Sequence, residues 1–411
     1  GLLALGLKEF TEREGADRER NIRALIALRL LLSLAAAIGI VAFALISGYP
    51  EELVIGLGVA GLGLAALSLQ ASYLVPLQAT FRLGEVAAVD ALRQVLVTGL
   101  MVAAAVTTGQ VGAIIAALFP AGIVVAVVVG FMARGVSPIR PSFDLPEFRR
   151  LLSLVSVYAL AATIGGMYAF VAQVASDHVL SPHESGEFGL AFRTFAVLVA
   201  GGIAAIIGGF PLLVHAAGSD DTERLVYAGR RMLQTSWLAG LTCTVGLVTG
   251  ATVVADVLGG EEFAGAAPAI ALIGLAVPMS FVLYAASSLL LANKIHKELV
   301  LVCVFGALAS VAATVVLADV HGANGAAIGI VLGESVIAAG YLWILQRTEP
   351  RLLPRAGWAL LGLLAAAAAC LPALMPLPGL VQVTLGLSVF ACLALLLRLL
   401  LLPGLALFLD R

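Results

Sequence analysis

Charge is scarce in this sequence. Asp, Glu, Lys and Arg make up only 12% of its 411 residues, too little to coat a water-soluble domain of that length. The net charge of −2 gives no basic surface for nucleic acid. Cysteine is nearly absent. Cys243, Cys303, Cys370 and Cys392 each lie in an apolar run, without CxxC or metal-ligand spacing, and read as reduced thiols. The five histidines are scattered and form no HExxH-type cluster. Nothing in the sequence calls for a metal or a cofactor. Long polar stretches are missing too, so no soluble domain fits between the apolar segments.

What is there is apolar: 61% of the chain is hydrophobic, in recurring runs of 18 or more residues. In a bilayer, backbone polar groups must be satisfied inside the element, so such runs read as membrane-spanning helices. The fold class is an all-α polytopic membrane protein. Twelve spans are expected, at 24–47, 53–77, 87–107, 111–132, 151–176, 188–213, 233–256, 266–291, 299–318, 322–345, 356–376 and 379–402.

Basic residues occupy alternate loops. Segments 8–23, 78–93, 133–150, 214–232, 292–298 and 346–355 carry them, whereas 48–52, 108–110, 177–187, 259–265, 319–321 and 376–378 carry none. The positive-inside rule then places both ends of the chain in the cytoplasm, in a multi-pass protein of the cell membrane.

Shifting the first four spans by about 213 residues lays them on the seventh to tenth, the kind of large-scale repeat that transporters carry. Six helices per repeat keep successive repeats in one orientation, as two lobes about an axis along the membrane normal. The expected organisation is an N-lobe over 1–134 with four helices and a cytoplasmic linker over 135–150, marked by Pro138, Pro141 and Pro146. A six-helix C-lobe follows over 151–346, and two added C-terminal helices over 347–411. The repeat places counterparts of 151–176 and 188–213 before Gly1, so the first lobe is expected to lack two helices here. Pro120, Pro211 and Pro278 are expected to kink their helices.

A few polar side chains lie inside the spans. Arg193 is about two turns into its helix, where a charge costs roughly 3 kcal/mol on insertion scales. It either faces a bundle interior or wet cavity, or snorkels outward beside Glu184 or Glu187. Arg29, on the cytoplasmic side of the first span, has the same two readings. Glu334, between Gly333 and Ser335 near mid-span, reads as a proton or cation coupling site or as a hydrogen-bonded packing residue. Tyr158, Tyr168 and Gln173 share one helix. Tyr168 and Gln173 line a polar cavity with Arg193, or core packing and an interfacial aromatic belt account for the tyrosines. Asp90 and Arg93, three apart, read as an interfacial pair.

Several short stretches resemble the polysaccharide-export flippases, the Wzx or RfbX-like proteins, of the superfamily that also holds lipid II flippases and MATE multidrug exporters. They are Gly186-Glu187-Phe188-Gly189-Leu190-Ala191-Phe192-Arg193, Gly260-Glu261-Glu262-Phe263 followed by Ala267-Pro268, Leu291-Ala292-Asn293-Lys294, Gly322-Ala323-Asn324-Gly325-Ala326-Ala327 and Pro141-Ser142-Phe143-Asp144. The resemblance implies helices arranged six plus six plus two, with this chain matching from the third onward. It also implies that Arg193 contacts a substrate diphosphate. By their own chemistry and position, Arg29, Tyr168 and Gln173 are the further candidates for the substrate site and Glu334 the candidate for ion coupling. The function it implies is flipping a lipid-linked oligosaccharide of the undecaprenyl-diphosphate type across the cytoplasmic membrane for polysaccharide export. The implied partners are that lipid-linked substrate, the lipid bilayer, a coupling ion (H+ or Na+), and glycosyltransferases and a polymerase of the same pathway. A MATE-like cation-coupled multidrug exporter is the alternative, though Arg193 and Arg29 favour an anionic substrate. An O-antigen polymerase or ligase is the reading as an enzyme. It needs a long external catalytic loop, and the longest external loop, 177–187, leaves no room for a folded site.

The charge alternation is testable. Single cysteines in a Cys-free background should react with an impermeant thiol reagent in intact cells when placed in 177–187 or 259–265. Those in 133–150 or 214–232 should stay unlabelled, and the reverse pattern would invert the topology.

Overall fold

The computed structural model describes residues 10, 15–80, 82–135, 140–218, 222–293, 295, 297–354 and 356–409. Side chains at 16, 83, 154–167, 207–218, 222, 224, 292, 356 and 397–409 lie outside that description, and those of Tyr158 and Pro211 are among them. Among the described residues all regular structure is helical. In chain order the helices are α1 (Gly15–Ile46), α2 (Glu51–Ala79), α3 (Leu83–Thr108), α4 (Val111–Ala116), α5 (Leu118–Ala133), α6 (Leu145–Ser176) and α7 (Pro182–Gly218). They continue with α8 (Thr222–Gly259), α9 (Ala267–Gly274), α10 (Ala276–Ala292), α11 (Lys297–Thr348), α12 (Ala356–Ala369) and α13 (Gly379–Leu409). Short 3-10 turns occupy Glu261–Ala266, Pro350–Leu352 and Leu371–Leu374. Ten stretches of the described residues are long and apolar enough to cross a membrane. The protein is an all-helical multi-pass membrane protein, as its composition predicts.

Three breaks relate these helices to the expected spans. Unbroken, α11 would run about 78 Å at 1.5 Å per residue, against a hydrocarbon core of about 30 Å. Gly322 divides it, at φ 60° and ψ −143°, a conformation open to glycine because no Cβ obstructs it. The halves before and after Gly322 are the expected spans 299–318 and 322–345. Prolines make the other two breaks. A proline ring clashes with the carbonyl four residues earlier and removes a helix hydrogen bond. Four residues before Pro120 is Ala116, where α4 ends, and four before Pro278 is Gly274, where α9 ends.

The chain forms two compact units, Gly1–Ala162 and Thr163–Arg411, with the boundary inside α6. In the first, backbones meet through glycine. A methyl placed on Gly63 of α2 would lie 2.6 Å from the Leu118 carbonyl carbon, and one on Gly122 of α5 would lie 2.6 Å from the Gly63 carbonyl oxygen. At one end of this unit, polar groups tie the start of α6 to α1. Arg20 pairs with Asp144 at 2.6 Å, and Asn21 Nδ2 donates to Glu147 Oε1 at 3.2 Å. The Ser142 amide also donates to the Arg23 carbonyl at 3.1 Å. Asp90 and Arg93 approach to 3.6 Å, and Gln70 of α2 donates to the same carboxylate at 3.4 Å.

In the second unit α7 to α11 enclose a core that includes the fully buried Phe188, Ile270, Ile273, Leu289 and Leu290. The last two helices pack on α8 through Leu241, Val245, Ala365, Ala369 and Phe390. Trp237 Nε1 adds a hydrogen bond to the Ala359 carbonyl at 3.2 Å.

The contact at Gly63 has a measurable consequence. Gly63→Val forces α2 away from α5 and should destabilise the first unit by about 1–3 kcal/mol, the usual cost of overpacking. Gly39→Ala, with nothing within 4 Å of the added methyl, serves as the control. A thermal-melt assay in detergent should show a lower midpoint for the first variant alone.

Candidate functional site

Glu334 lies in the second half of α11 and is 3% exposed. Two hydroxyls from other helices reach its carboxyl group. Tyr168 of α6 donates to Oε1, and Ser280 of α10 approaches Oε2 at 2.7 Å. Tyr168 and Ser280 are themselves buried. Tyr284, Cys303 and Tyr341 belong to the same packed cluster as Tyr168. The approach of the two halves of α11 is set by glycine. The Ser310 hydroxyl would clash with a Cβ on Gly333, and the Thr314 hydroxyl lies 2.7 Å from the Cβ position of Gly329. Both hydroxyls are buried without a hydrogen-bond partner among the described residues.

Ser280 gives this cluster a chemical capacity. Its Oγ lies 2.7 Å from Glu334 Oε2 and 3.1 Å from the Ala276 carbonyl oxygen, yet a serine hydroxyl has one hydrogen. When Glu334 is ionised, that hydrogen goes to the carboxylate. When Glu334 is protonated, the carboxyl donates to Ser280 Oγ, whose hydrogen turns to Ala276. Tyr168 donates to Oε1 in both states. Either protonation state is therefore hydrogen-bonded in a site where an unmet polar group would cost about 1–3 kcal/mol.

Arg193 occupies the opposite kind of setting. On α7, Phe188, Ala191, Phe192, Phe195 and Val199 are buried in the core, with the Phe192 ring 5.4 Å from Phe170 and edge-on to it. Arg193 lies off that face, exposed and without a hydrogen bond or ion pair among the described residues. The two carboxylates expected beside it are taken. Glu184 accepts from the Ser181 amide and hydroxyl at 3.0 and 2.6 Å, and Glu187 pairs with His183 at 3.3 Å. Gln173 is half-buried, with Nε2 3.9 Å from the Cβ position of Gly189. Gly189 is four residues before Arg193, so the amide lies one turn away on the same face of α7.

Arg29, in the first unit, is 8% exposed, and Nη1 donates to Ser72 Oγ at 3.5 Å. It has no acidic partner among the described residues. The structure thus joins Tyr168 to Glu334 and places Gln173 against Gly189, one turn before Arg193 on α7. Sequence reading did not single out Ser280, Ser310, Thr314 or Ser72. A lone serine or threonine in an apolar helix carries no local signal, and Ser280 and Glu334 are 54 residues apart.

Residues 2–268 match a family described as "Polysaccharide biosynthesis protein". No curated protein matches the chain. Among solved structures, the lipid II flippase MurJ in an inward closed conformation superposes with a TM-score of 0.80 at 13% identity, over 97% of this chain and 90% of that one. An inward-facing multidrug resistance MATE family transporter of the MOP superfamily gives 0.69 at 17%, over 85% and 87%. The eukaryotic MATE transporter AtDTX14 gives 0.62 at 14%, over 87% and 82%. At these identities the likeness shows a shared fold.

The carboxyl cluster makes a stability prediction. Tyr168→Phe removes one donor from buried Glu334 and should cost about 1–3 kcal/mol. In a Glu334→Gln background the cost should differ, because contacting residues couple. Strict additivity in a double-mutant thermal-melt cycle would mean the two groups do not interact.

Proposed function

We propose a function from one premise: the chain belongs to the polysaccharide biosynthesis protein family. In this reading the protein carries a lipid-linked oligosaccharide, on an undecaprenyl-diphosphate type of anchor, across the cytoplasmic membrane by alternating access. It receives the glycan from membrane glycosyltransferases and hands it to a polymerase of the same pathway. The observation that carries the reading is the state of the intramembrane cations. Arg193 and Arg29 lie within apolar spans, and neither has an acidic partner among the described residues. At Arg193 a diphosphate supplies the missing anion. A guanidinium stays charged and offers its oxygens a planar fork of donors. Gln173 adds an amide donor one turn from Arg193. Glu334 takes up and releases the coupling proton, with Tyr168 and Ser280 holding its carboxyl in both states. A cation-coupled drug exporter would also suit Glu334, but two uncompensated arginines repel an organic cation.

Complementation of a flippase-deficient strain with the native coding sequence tests the substrate role. Arg193→Ala should abolish glycan export at normal membrane levels of the protein. Arg193→Lys should restore it in part, since an ammonium keeps the charge and loses the fork. Full export by Arg193→Ala would remove Arg193 from the mechanism. For coupling, Glu334→Gln should remove the pH dependence of transport in vesicles and leave substrate binding intact. Dependence on sodium rather than pH would replace the proton with Na+, and an unchanged pH profile would return Glu334 to a packing role.

A further inference from the structure

Four arginines at one end of the second unit have no part in the reading above. Arg230 and Arg231 lie in the opening turns of α8, Arg347 closes α11, and Arg351 lies in the following 3-10 turn. The fold brings these segments together. Arg230 Nε donates to the Arg351 carbonyl oxygen at 2.6 Å, and the Leu352 side chain packs against Gly229, the residue before Arg230. All four side chains are exposed, and none pairs with a carboxylate among the described residues. In sequence, segments 214–232, 292–298 and 346–355 carry eight Arg and Lys against five acids, Asp220, Asp221, Glu223, Glu298 and Glu349, so the excess is basic.

Two of the arginines lie over exposed aromatic rings. The Arg347 guanidinium is 3.8 Å from the Trp343 ring centroid, and that of Arg231 is 5.5 Å from the Tyr227 centroid. Trp343 is 54% exposed, one turn deeper into its span than Arg347, and Tyr227 is 60% exposed. Exposed Trp and Tyr at the ends of apolar spans take the level of the headgroups, with an apolar ring and a polar edge. Stacking also fixes the direction of a guanidinium, while its N–H edge remains free for oxygen acceptors.

We infer that Arg230, Arg231, Arg347 and Arg351 form a binding site for the phosphate headgroup of an anionic bilayer phospholipid. The clustered guanidiniums supply charge-assisted donors to phosphate oxygens, and Trp343 lies against the glycerol and upper acyl region. Basic pockets between spans hold anionic headgroups on these terms. The site shares no residue with Arg193, Arg29 or Glu334, and it does not depend on what the protein transports.

Trp343 is a built-in probe. With Trp237→Phe and Trp358→Phe, it becomes the sole tryptophan. In phosphatidylcholine vesicles holding a minor fraction of brominated phosphatidylglycerol, Trp343 should be quenched more than by the same fraction of brominated phosphatidylcholine. The preference should reflect local enrichment on the order of tenfold. Raising the salt concentration should reduce it, because exposed charges are screened. Arg347→Gln, which leaves the Arg230–Arg351 bond in place, should weaken the preference, and the further change Arg351→Gln should remove it. Arg134→Gln, at a helix end of the first unit, should leave it intact. Equal quenching by the two lipids, or a preference that survives both the double substitution and high salt, overturns the site. Displacement of brominated phosphatidylglycerol by an equimolar isoprenoid diphosphate overturns it too, since the patch would then belong to the transported lipid.

Discussion

Lipid tails are as apolar as leucine, so no hydrophobic force pushes helices together inside a bilayer; close packing must hold them. In this protein that packing runs through glycine. Gly63 and Gly122 bring α2 and α5 to backbone contact, and Gly329 and Gly333 do the same for the two halves of α11. Where backbones touch, short polar side chains of neighbouring helices come within hydrogen-bonding range. Ser310 and Thr314 are buried against Gly333 and Gly329, beside Glu334 in sequence. The small-residue contacts that assemble the second unit also set the walls of its carboxyl cluster.

Among the described side chains, Glu334, Arg29 and Arg193 meet the cost of hydrocarbon in three ways. Glu334 is held by hydroxyl donors from α6 and α10, one of which can reverse its hydrogen bond when the carboxyl gains a proton. Arg29 is buried beside a neutral serine at the limit of hydrogen-bonding distance. Arg193 is exposed, off the aromatic face that anchors its helix. A carboxyl satisfied internally is suited to exchanging a proton, and cations without internal anions are suited to an anionic ligand. This division of labour, rather than any single residue, supports a lipid-linked diphosphate as the cargo.

The spans were legible because a bilayer allows so few solutions. Apolar runs of sufficient length become helices, and both the glycine turn at Gly322 and the breaks ahead of Pro120 and Pro278 fall where local rules place them. Glu334, Arg29 and Arg193 stood out because charge is rare in such runs. The partners of Glu334 were not legible. Tyr168 precedes it by 166 residues and Ser280 by 54, and nothing local marks either one as its partner. Tyr168 illustrates the limit well. Sharing a helix with Gln173 suggested a common role near Arg193, yet five residues along a helix is nearly half a turn beyond a full one, so the two point to different neighbours. The glycine contacts were equally hidden, since a sequence rich in glycine does not reveal which ones face another backbone.

In the function proposed for it, the protein moves a diphosphate-linked glycan lipid. Purified protein in vesicles, loaded on the inner leaflet with a labelled isoprenoid-diphosphate oligosaccharide, tests it most directly. The label should become accessible to an external glycosidase faster than in protein-free vesicles. An unlabelled isoprenoid diphosphate should compete, and an organic cation should not. Transport of organic cations, with no acceleration of lipid exposure, would contradict it.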